Sequence, residues 1–324
     1  MCVAFANERL SLDCGSTPYQ VTAGEDFYKS ALNAIQSQPN ITLHLGTSVV
    51  GQPSLSNGLW TIHTGAGTVL ARSVVDTRPN QSPRLNGATL WQSFYGQEIE
   101  CDEPIFDPEL VDLMDFFPPD SRHVAFVYVL PVTTTRALIE ITVFGAVPLP
   151  PSFFSEQLRT LVAAKVKGNA YTTLRFEDGI LPMGLSAAPQ SIHESYVYAG
   201  ILAGGARPST GFAFQRIQRW ASECADSVIA SGSPTRHKSD PWPLRVMDQI
   251  FLEVLRANPR IGGAIFFSLF KRAHPARVIR FLSGSAGVAD SLAVIIAMPI
   301  LPFIEAAFAL MWRQIKTLGA QSIR

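Results

Sequence analysis

The sequence is poor in charged residues and has no excess of either sign. Only 16% of its 324 residues are Asp, Glu, Lys or Arg, against about 25% in an average soluble domain. The 26 basic residues equal the 26 acidic residues in number, so the positive surplus with which nucleic-acid binders meet phosphates is missing. We therefore expect no nucleic-acid partner. The apolar content of 47% indicates a membrane protein, a peripheral protein or a soluble protein with an apolar ligand.

Cysteine is also scarce, and its spacing excludes two kinds of site. The four cysteines are far apart and include no Cys-x-x-Cys pair: Cys2, Cys14, Cys101 and Cys224. We predict free thiols in a reducing compartment, and neither a metal site nor a disulfide framework. The N-terminal MCVAFANERL has no basic region before its short apolar run, so we expect no signal peptide.

The longest apolar stretch, Leu292–Trp312, is broken by polar and helix-breaking residues. Its 21 residues are enough to span a bilayer, but Pro299, Pro302 and Glu305 lie within it. Proline removes a backbone hydrogen bond that lipid cannot replace, so we predict two short helices with a proline-rich bend. Basic residues flank the stretch: Arg277, Arg280, Arg313 and Lys316. The pattern fits a segment in the membrane interface, with a core helix pair as an equal alternative.

Periodicity and turn signals predict a mixed α/β (α+β) protein. We expect helices over 24–37, 152–167 with Ser152 as cap, 213–231, and throughout 241–324. Strands are predicted over 41–46 and 58–64, around a turn at Asn57-Gly58, and over 72–76 and 195–199. Between 90 and 180, short β-branched and aromatic runs separated by turn residues predict an antiparallel sheet.

A glycine-rich loop at 200–212 lies between a predicted strand and a predicted helix. Glycines leave the backbone free to approach a ligand, and the N-terminus of a helix favours phosphate. Arg207 adds positive charge. The pattern allows a phosphate or dinucleotide site, or a simple connector.

Several segments of the sequence, in the same order, resemble the lycopene cyclase family. The run Gly200-x-x-Ala203-Gly204-x-x-x-Pro208-Ser209-Thr210-Gly211-Phe212 resembles the second flavin-binding motif of these enzymes. Further matching segments are Val75–Pro79, Gln92–Gly96, Phe126–Pro131, Arg136–Thr142, Glu177–Met183 and Arg280–Ser283. The likeness extends from about residue 70 to about residue 310.

The resemblance implies a flavoprotein. Such proteins begin with a strand and a Gly-x-Gly-x-x-Gly turn for the FAD pyrophosphate, which this sequence lacks. The expected fold is therefore an incomplete glutathione-reductase-like FAD-binding fold. Its expected parts are an FAD-domain remnant over 1–85, an antiparallel substrate domain over 86–190, a second FAD segment over 191–240 and a helical, membrane-contacting region over 241–324. The implied cofactor residues are Gly200, Gly204, Pro208, Thr210, Gly211 and Phe212.

The resemblance also implies that Glu140 is the catalytic acid. Strand alternation places Glu140 on one face with Leu138 and Thr142. If that face is apolar, desolvation keeps the carboxyl protonated near neutral pH; a solvated glutamate on an exposed face is the alternative. The side chains expected to contact substrate are Phe94, Tyr128, Thr142 and Phe144.

The implied reaction is the cyclisation of the open ends of lycopene to β-ionone rings. It is initiated by a proton, changes no net oxidation state, and requires reduced FAD with NADPH as electron source. The expected location is peripheral, on the cytoplasmic side of a membrane that holds the carotenoid. A related FAD-dependent monooxygenase or isoprenoid reductase, an inactive truncated remnant and a lipid-binding accessory protein remain alternatives.

Overall fold

The protein forms one large sheet between helices, with two smaller sheets beside it. The computed structural model describes residues 1–78, 87–185 and 193–321. The strands are β1 (Cys2–Phe5), β2 (Glu8–Ser11), β3 (Val49–Ser56), β4 (Leu59–Thr64), β5 (Gly67–Ala71), β6 (Val74–Asp76), β7 (Leu90–Cys101), β8 (Asp112–Phe116), β9 (His123–Pro131), β10 (Arg136–Gly145), β11 (Tyr171–Met183) and β12 (Tyr196–Tyr198). The mixed α/β class is confirmed.

The helices lie mainly in the second half of the chain. They are α1 (Gly24–Gln36), α2 (Pro151–Val166), α3 (Phe214–Ser231), α4 (Trp242–Ala257), α5 (Gly262–Arg272), α6 (Pro275–Ser283), α7 (Val288–Ala297) and α8 (Ile300–Gln321). The helices predicted over 24–37, 152–167 and 213–231 are confirmed within one residue at each end. The predicted Ser152 cap is wrong, because α2 begins at Pro151 and no side chain caps it.

The large sheet has seven strands in the order β11-β7-β10-β9-β8-β1-β2. All neighbours are antiparallel except β1 and β8, so the antiparallel sheet predicted between 90 and 180 is confirmed. One face packs on α2, where Ile139 and Ile141 are fully buried against Phe154 and Leu158. The opposite face carries the alternate side chains of the same strands and packs partly under α5.

The predicted turn at Asn57-Gly58 is present, but its first strand was misplaced. Asn57 and Gly58 have φ values of 51° and 75°, the left-handed conformation of a tight hairpin turn. Such a turn pairs the residues that directly flank it, here Ser56 with Leu59, so the strand is β3 and not 41–46. A bulge between Val50 and Ser54 takes up Gly51 and Pro53, residues that a regular strand accommodates poorly.

The third predicted strand, over 72–76, is divided in the structure. β5 completes the hairpin sheet, whereas β6 leaves it and pairs in parallel with β12. Pro79 and the predicted domain boundaries near 85 and 190 lie outside the described residues, so those boundaries stay predictions.

The C-terminal region is helical, as predicted, and α7 and α8 meet at the predicted proline bend. Pro302 lies in the first turn of α8. Backbone N–H groups in the first turn of a helix have no intrahelical acceptor, so the N–H that proline lacks costs no hydrogen bond there. Among the described residues, no single helix is long and apolar enough to cross a membrane. The bent pair of α6 and α7 meets that test together, across an angle of 113°.

Candidate functional site

Four residues form one row across the large sheet. Tyr128 on β9 pairs with Glu140 on β10, which pairs with Gly96 on β7, which pairs with Glu177 on β11. Because paired residues point to the same face of a sheet, these side chains share one surface. A Cβ at Gly96 would lie 3.2 Å from the Cβ of Glu140. The glycine therefore leaves a gap across which Glu177 acts on the carboxyl of Glu140 and raises its pKa.

Glu140 holds a proton at neutral pH. Burial raises the pKa of Glu140 to about 8, and the neighbouring Glu177 acts in the same direction, although a hydrogen bond from Thr142 opposes both. In that bond the hydroxyl of Thr142 donates to Oε1 of Glu140 over 2.8 Å. The surroundings of Glu140 are thus those of a neutral acid and not of a solvated carboxylate.

Charge is confined to one side of Glu140. Arg175 pairs with both Glu177 and Glu98, and Glu98 also pairs with Arg136. Sequence analysis missed Glu177 as a site residue. The alternation of side chains along β11 gives the face on which Glu177 lies. Only the register of β11 on β7 places Glu177 beside Glu140.

The predicted substrate side chains lie on the face of Glu140, at different depths. Phe94 and Tyr128 are partly buried, and the Phe94 ring covers Gly179, where a Cβ would come within 2.3 Å of it. Thr142 is fully buried below Glu140. Phe144 is 5% exposed and packs on Phe126 and Phe266, so its ring belongs to the core in this structure.

A cavity of about 370 Å³ lies between the N-terminal loop, the glycine-rich loop and helices α5 and α6. Tyr19 and Phe212 line it, together with Phe270, Val278 and Leu282 from α5 and α6. Burial raises the pKa of Tyr19, and the charge of Glu140 adds to the effect, so the phenol lies within electrostatic range of Glu140. Nothing in the sequence marks Tyr19, because it lies in an irregular loop with no periodic pattern.

The loop at 200–212 has the backbone that its glycines predict. Gly200, Gly204 and Gly211 have φ values of 87°, 90° and 71°, where other residues are strained. Gly204 and Pro208 line a polar cleft of about 740 Å³, which also contains Arg216. Phe212 lies on the other side of the loop, in the cavity with Tyr19.

Two buried polar atoms beside this loop have no hydrogen-bond partner within the described part of the chain. They are Oε1 of Gln92 and Nε of Arg216. Oε1 of Gln92 lies 2.9 Å from the position that a Cβ would occupy if Gly211 were another residue. Buried polar atoms are rarely left unpaired, so a polar ligand on the loop would supply the missing partners; the other two guanidinium nitrogens of Arg216 donate to Asp240 at 2.9 and 3.0 Å.

Arg207 does not add charge to a phosphate site, contrary to the sequence-based expectation. It is 1% exposed, and its guanidinium contacts Asp248 on α4 at 3.0 Å. It also donates to the carbonyl of Phe281 and lies over that ring, 4.1 Å from its centre. Arg207 therefore fastens the loop to α4 and α6. Asp248 is 41 residues away in sequence, so local patterns could not reveal the pair.

The last two helices expose a large apolar surface, which we call the α7–α8 surface. Its most exposed side chains are Val288, Ile296, Ile300, Leu301, Phe308 and Trp312. An apolar cavity of about 260 Å³ opens between α4, α7 and α8, and Leu282 lines both this cavity and the one that contains Tyr19.

The basic flanks predicted for this region are partly neutralised within the chain. Arg280 pairs with Asp290 at 2.7 Å, and Arg313 pairs with Glu253 at 2.9 Å. The side chain of Lys316 lies outside the described part of the structure. This region therefore presents an apolar surface to a partner more than a positively charged one.

Comparison with known proteins confirms the resemblance found in the sequence. Lycopene beta-cyclase of Paracoccus sp. is 26% identical over 252 residues, which are 72% of this chain and 62% of that protein. Lycopene beta-cyclase of Pantoea ananas is 26% identical over 74% of this chain and 65% of its own length. The chain thus spans less than two thirds of the length of these curated relatives.

Among solved structures, a geranylgeranyl bacteriochlorophyll reductase-like protein of Thermoplasma acidophilum aligns with 13% identity and a TM-score of 0.48. The alignment covers 88% of this chain and 74% of that protein. The family model described as lycopene cyclase protein matches residues 6–308, nearly the whole chain. The chain therefore belongs to the lycopene cyclase family.

Proposed function

We propose that this protein cyclises the open ψ ends of lycopene to β-ionone rings, with Glu140 as the proton donor. The observation that carries the proposal is the buried position of Glu140, which raises the pKa of its carboxyl to about 8, within electrostatic range of Tyr19 in the wall of a largely apolar cavity. Protonation of an alkene needs an acid that keeps its proton until the substrate is in place. Family membership supports the choice of substrate, and both named relatives are lycopene beta-cyclases.

The reaction needs one proton and no net change of oxidation state. Glu140 gives its proton to the terminal double bond, which leaves a tertiary carbocation. The neighbouring double bond attacks the cation and closes a six-membered ring, and loss of a proton then sets the ring double bond. Thr142 holds the carboxyl in place, and the rings of Phe94 and Tyr128 offer negative π faces to the cation.

The residues around the glycine loop fit a bound FAD. We propose that Gly200, Gly204, Pro208 and Arg216 hold its pyrophosphate side, and that Gln92, Thr210, Gly211 and Phe212 hold its ring side. The unpaired atoms of Arg216 and Gln92 support this division. When bound and reduced, with NADPH as the proposed electron source, FAD supplies negative charge that stabilises a carbocation.

We further propose a peripheral position on the cytoplasmic side of the membrane. Lycopene is a long apolar molecule that dissolves in the bilayer, so its enzyme must contact lipid. The α7–α8 surface provides that contact, and the two cavities that share Leu282 provide an apolar route toward Tyr19, which lies within electrostatic range of Glu140.

The function is tested by carotenoid analysis in bacteria that accumulate lycopene. The gene is expressed with any in-frame coding sequence upstream of Met1, and the pigments are separated by chromatography. We expect lycopene to be replaced by products with β-ionone rings. Hydroxylated or saturated products would instead support a monooxygenase or an isoprenoid reductase, and unchanged lycopene bound to the folded protein would support a non-catalytic accessory role.

Membrane contact through the α7–α8 surface gives a second prediction. Replacing both Ile296 and Leu301 with glutamate is expected to lower binding to phosphatidylcholine vesicles at least about tenfold, because charged groups do not enter the acyl region. Co-sedimentation with vesicles measures the effect. Ile229→Glu is the control, since Ile229 is 84% exposed on α3, outside this surface. Equal vesicle binding by the double variant and the control would contradict the proposed contact.

A further inference from the structure

We propose that Glu177 is a positioning residue that forms a carboxyl pair with Glu140 and keeps the shared proton on Glu140. Its role in the reaction rests on the proposed function, because only a proton donor needs such a partner. The existence of the pair does not rest on the proposed function, since the pair follows from the register and charges of three strands.

The register brings the two side chains together over a glycine. Glu140 and Glu177 are both paired with Gly96, one from each side. Two strand spacings, about 10 Å, separate their backbones, so the side chains must lean toward each other across β7. A side chain at position 96 would occupy this path, because even a Cβ there lies 3.2 Å from the Cβ of Glu140.

The surrounding charges decide which carboxyl holds the proton. Glu177 forms an ion pair with the guanidinium of Arg175, which compensates its negative charge. Among the described residues, no Lys or Arg forms an ion pair with Glu140. The proton of the carboxyl pair therefore resides on Glu140.

The other titratable groups that face Glu140 carry no charge near neutral pH. Tyr128 lies beside it on β9 and Tyr19 approaches from the N-terminal loop. Burial raises the pKa of both phenols above the ordinary value. Thr142 adds only a neutral hydroxyl. The charge of Glu177, held in place by Arg175, is thus the one charge that acts on Glu140 at close range within the described structure.

The pair also has a consequence for the step that follows proton transfer. The O–H bond of Glu140 breaks as a C–H bond forms on the substrate, which becomes a cation next to two carboxylates. Both negative charges stabilise that cation. When a ring C–H bond later breaks, the proton returns to the pair and the O–H bond forms again. No oxidant or reductant is consumed.

Infrared titration of the substrate-free protein tests the pair directly. The C=O stretch of a protonated carboxyl, assigned to Glu140 by its loss in Glu140→Gln, is followed from pH 4 to pH 10. In the wild-type protein we expect the band to persist through neutral pH. In Glu177→Gln we expect its midpoint to fall by about one pH unit or more, because the repelling charge is gone. Asp178→Asn is the matched control, since Asp178 is the next residue and points to the opposite, exposed face.

The outcomes separate this inference from the proposed function. An unchanged midpoint in Glu177→Gln, or a wild-type Glu140 already ionised at pH 6, would overturn the carboxyl pair. The wild-type titration decides the second point even if the variant fails to fold. A shifted midpoint in a protein that leaves lycopene unchanged would support the pair and count against the cyclase. Cyclisation of lycopene without a shifted midpoint would support the cyclase and count against the carboxyl pair.

Discussion

The Glu140→Gln variant is expected to cyclise lycopene about 10²–10⁴-fold more slowly than the wild-type protein, the usual contribution of a general acid. Glutamine has nearly the same shape but carries no transferable acidic proton. The rate is measured from the loss of lycopene over time in membranes that contain each variant. Glu156→Gln is the control, because Glu156 is exposed on α2, behind the opposite face of the sheet. A Glu140→Gln variant as fast as this control would exclude Glu140 as the acid.

The same residue makes two properties depend on pH. Because burial raises the pKa of Glu140 to about 8, wild-type activity should fall as the pH rises through that value. The folded state also keeps a proton that the unfolded chain loses near the ordinary pKa of 4.5. The free energy of unfolding is therefore highest below pH 4.5 on this account, and decreases as the pH rises toward 8. Denaturant titrations at pH 5 and pH 9 should show this decrease in the wild-type protein and a smaller one in Glu140→Gln.

The second large effect is expected at the ion pair beneath the glycine loop. Arg207→Ala should lower the free energy of unfolding by about 3–5 kcal/mol, the usual cost of leaving one member of a buried pair alone. Asp248 is 2% exposed and also accepts a hydrogen bond from Ser209 at 2.7 Å. Burial already raises the pKa of Asp248 despite the guanidinium beside it. Without Arg207 that carboxylate would lose its only ion-pair partner in the described structure.

Denaturant unfolding measures this effect, with Lys271→Ala as the control. Lys271 forms an ion pair with Glu8 at 2.6 Å, but both side chains are half exposed or more, so its loss should change stability by less than about 1 kcal/mol. The double replacement Arg207→Met with Asp248→Leu should recover much of the lost stability, because it removes both charges. Equal unfolding midpoints for Arg207→Ala and Lys271→Ala would show that the pair does not hold the loop.

Local sequence determined most of the helices of this protein and the faces of its strands. Alternation in β10 placed Ile139 and Ile141 on one face and Glu140 and Thr142 on the other, and the structure confirms this division. Asn57-Gly58 fixed a hairpin turn because few residues adopt its backbone. The glycines of the 200–212 loop predicted its conformation for the same reason. These inferences depend on residues close in sequence, whose steric preferences act wherever the chain is.

The tertiary structure decided which of these residues act together. Glu177 faces Glu140 only because β10 and β11 pair with opposite edges of β7 in one register, over a glycine. Arg207 finds Asp248 from a distant helix, so a charge that suggested a phosphate site serves packing instead. A carboxyl's pKa and an arginine's role depend on burial and on charges within a few ångströms, and only the folded chain brings those charges into contact.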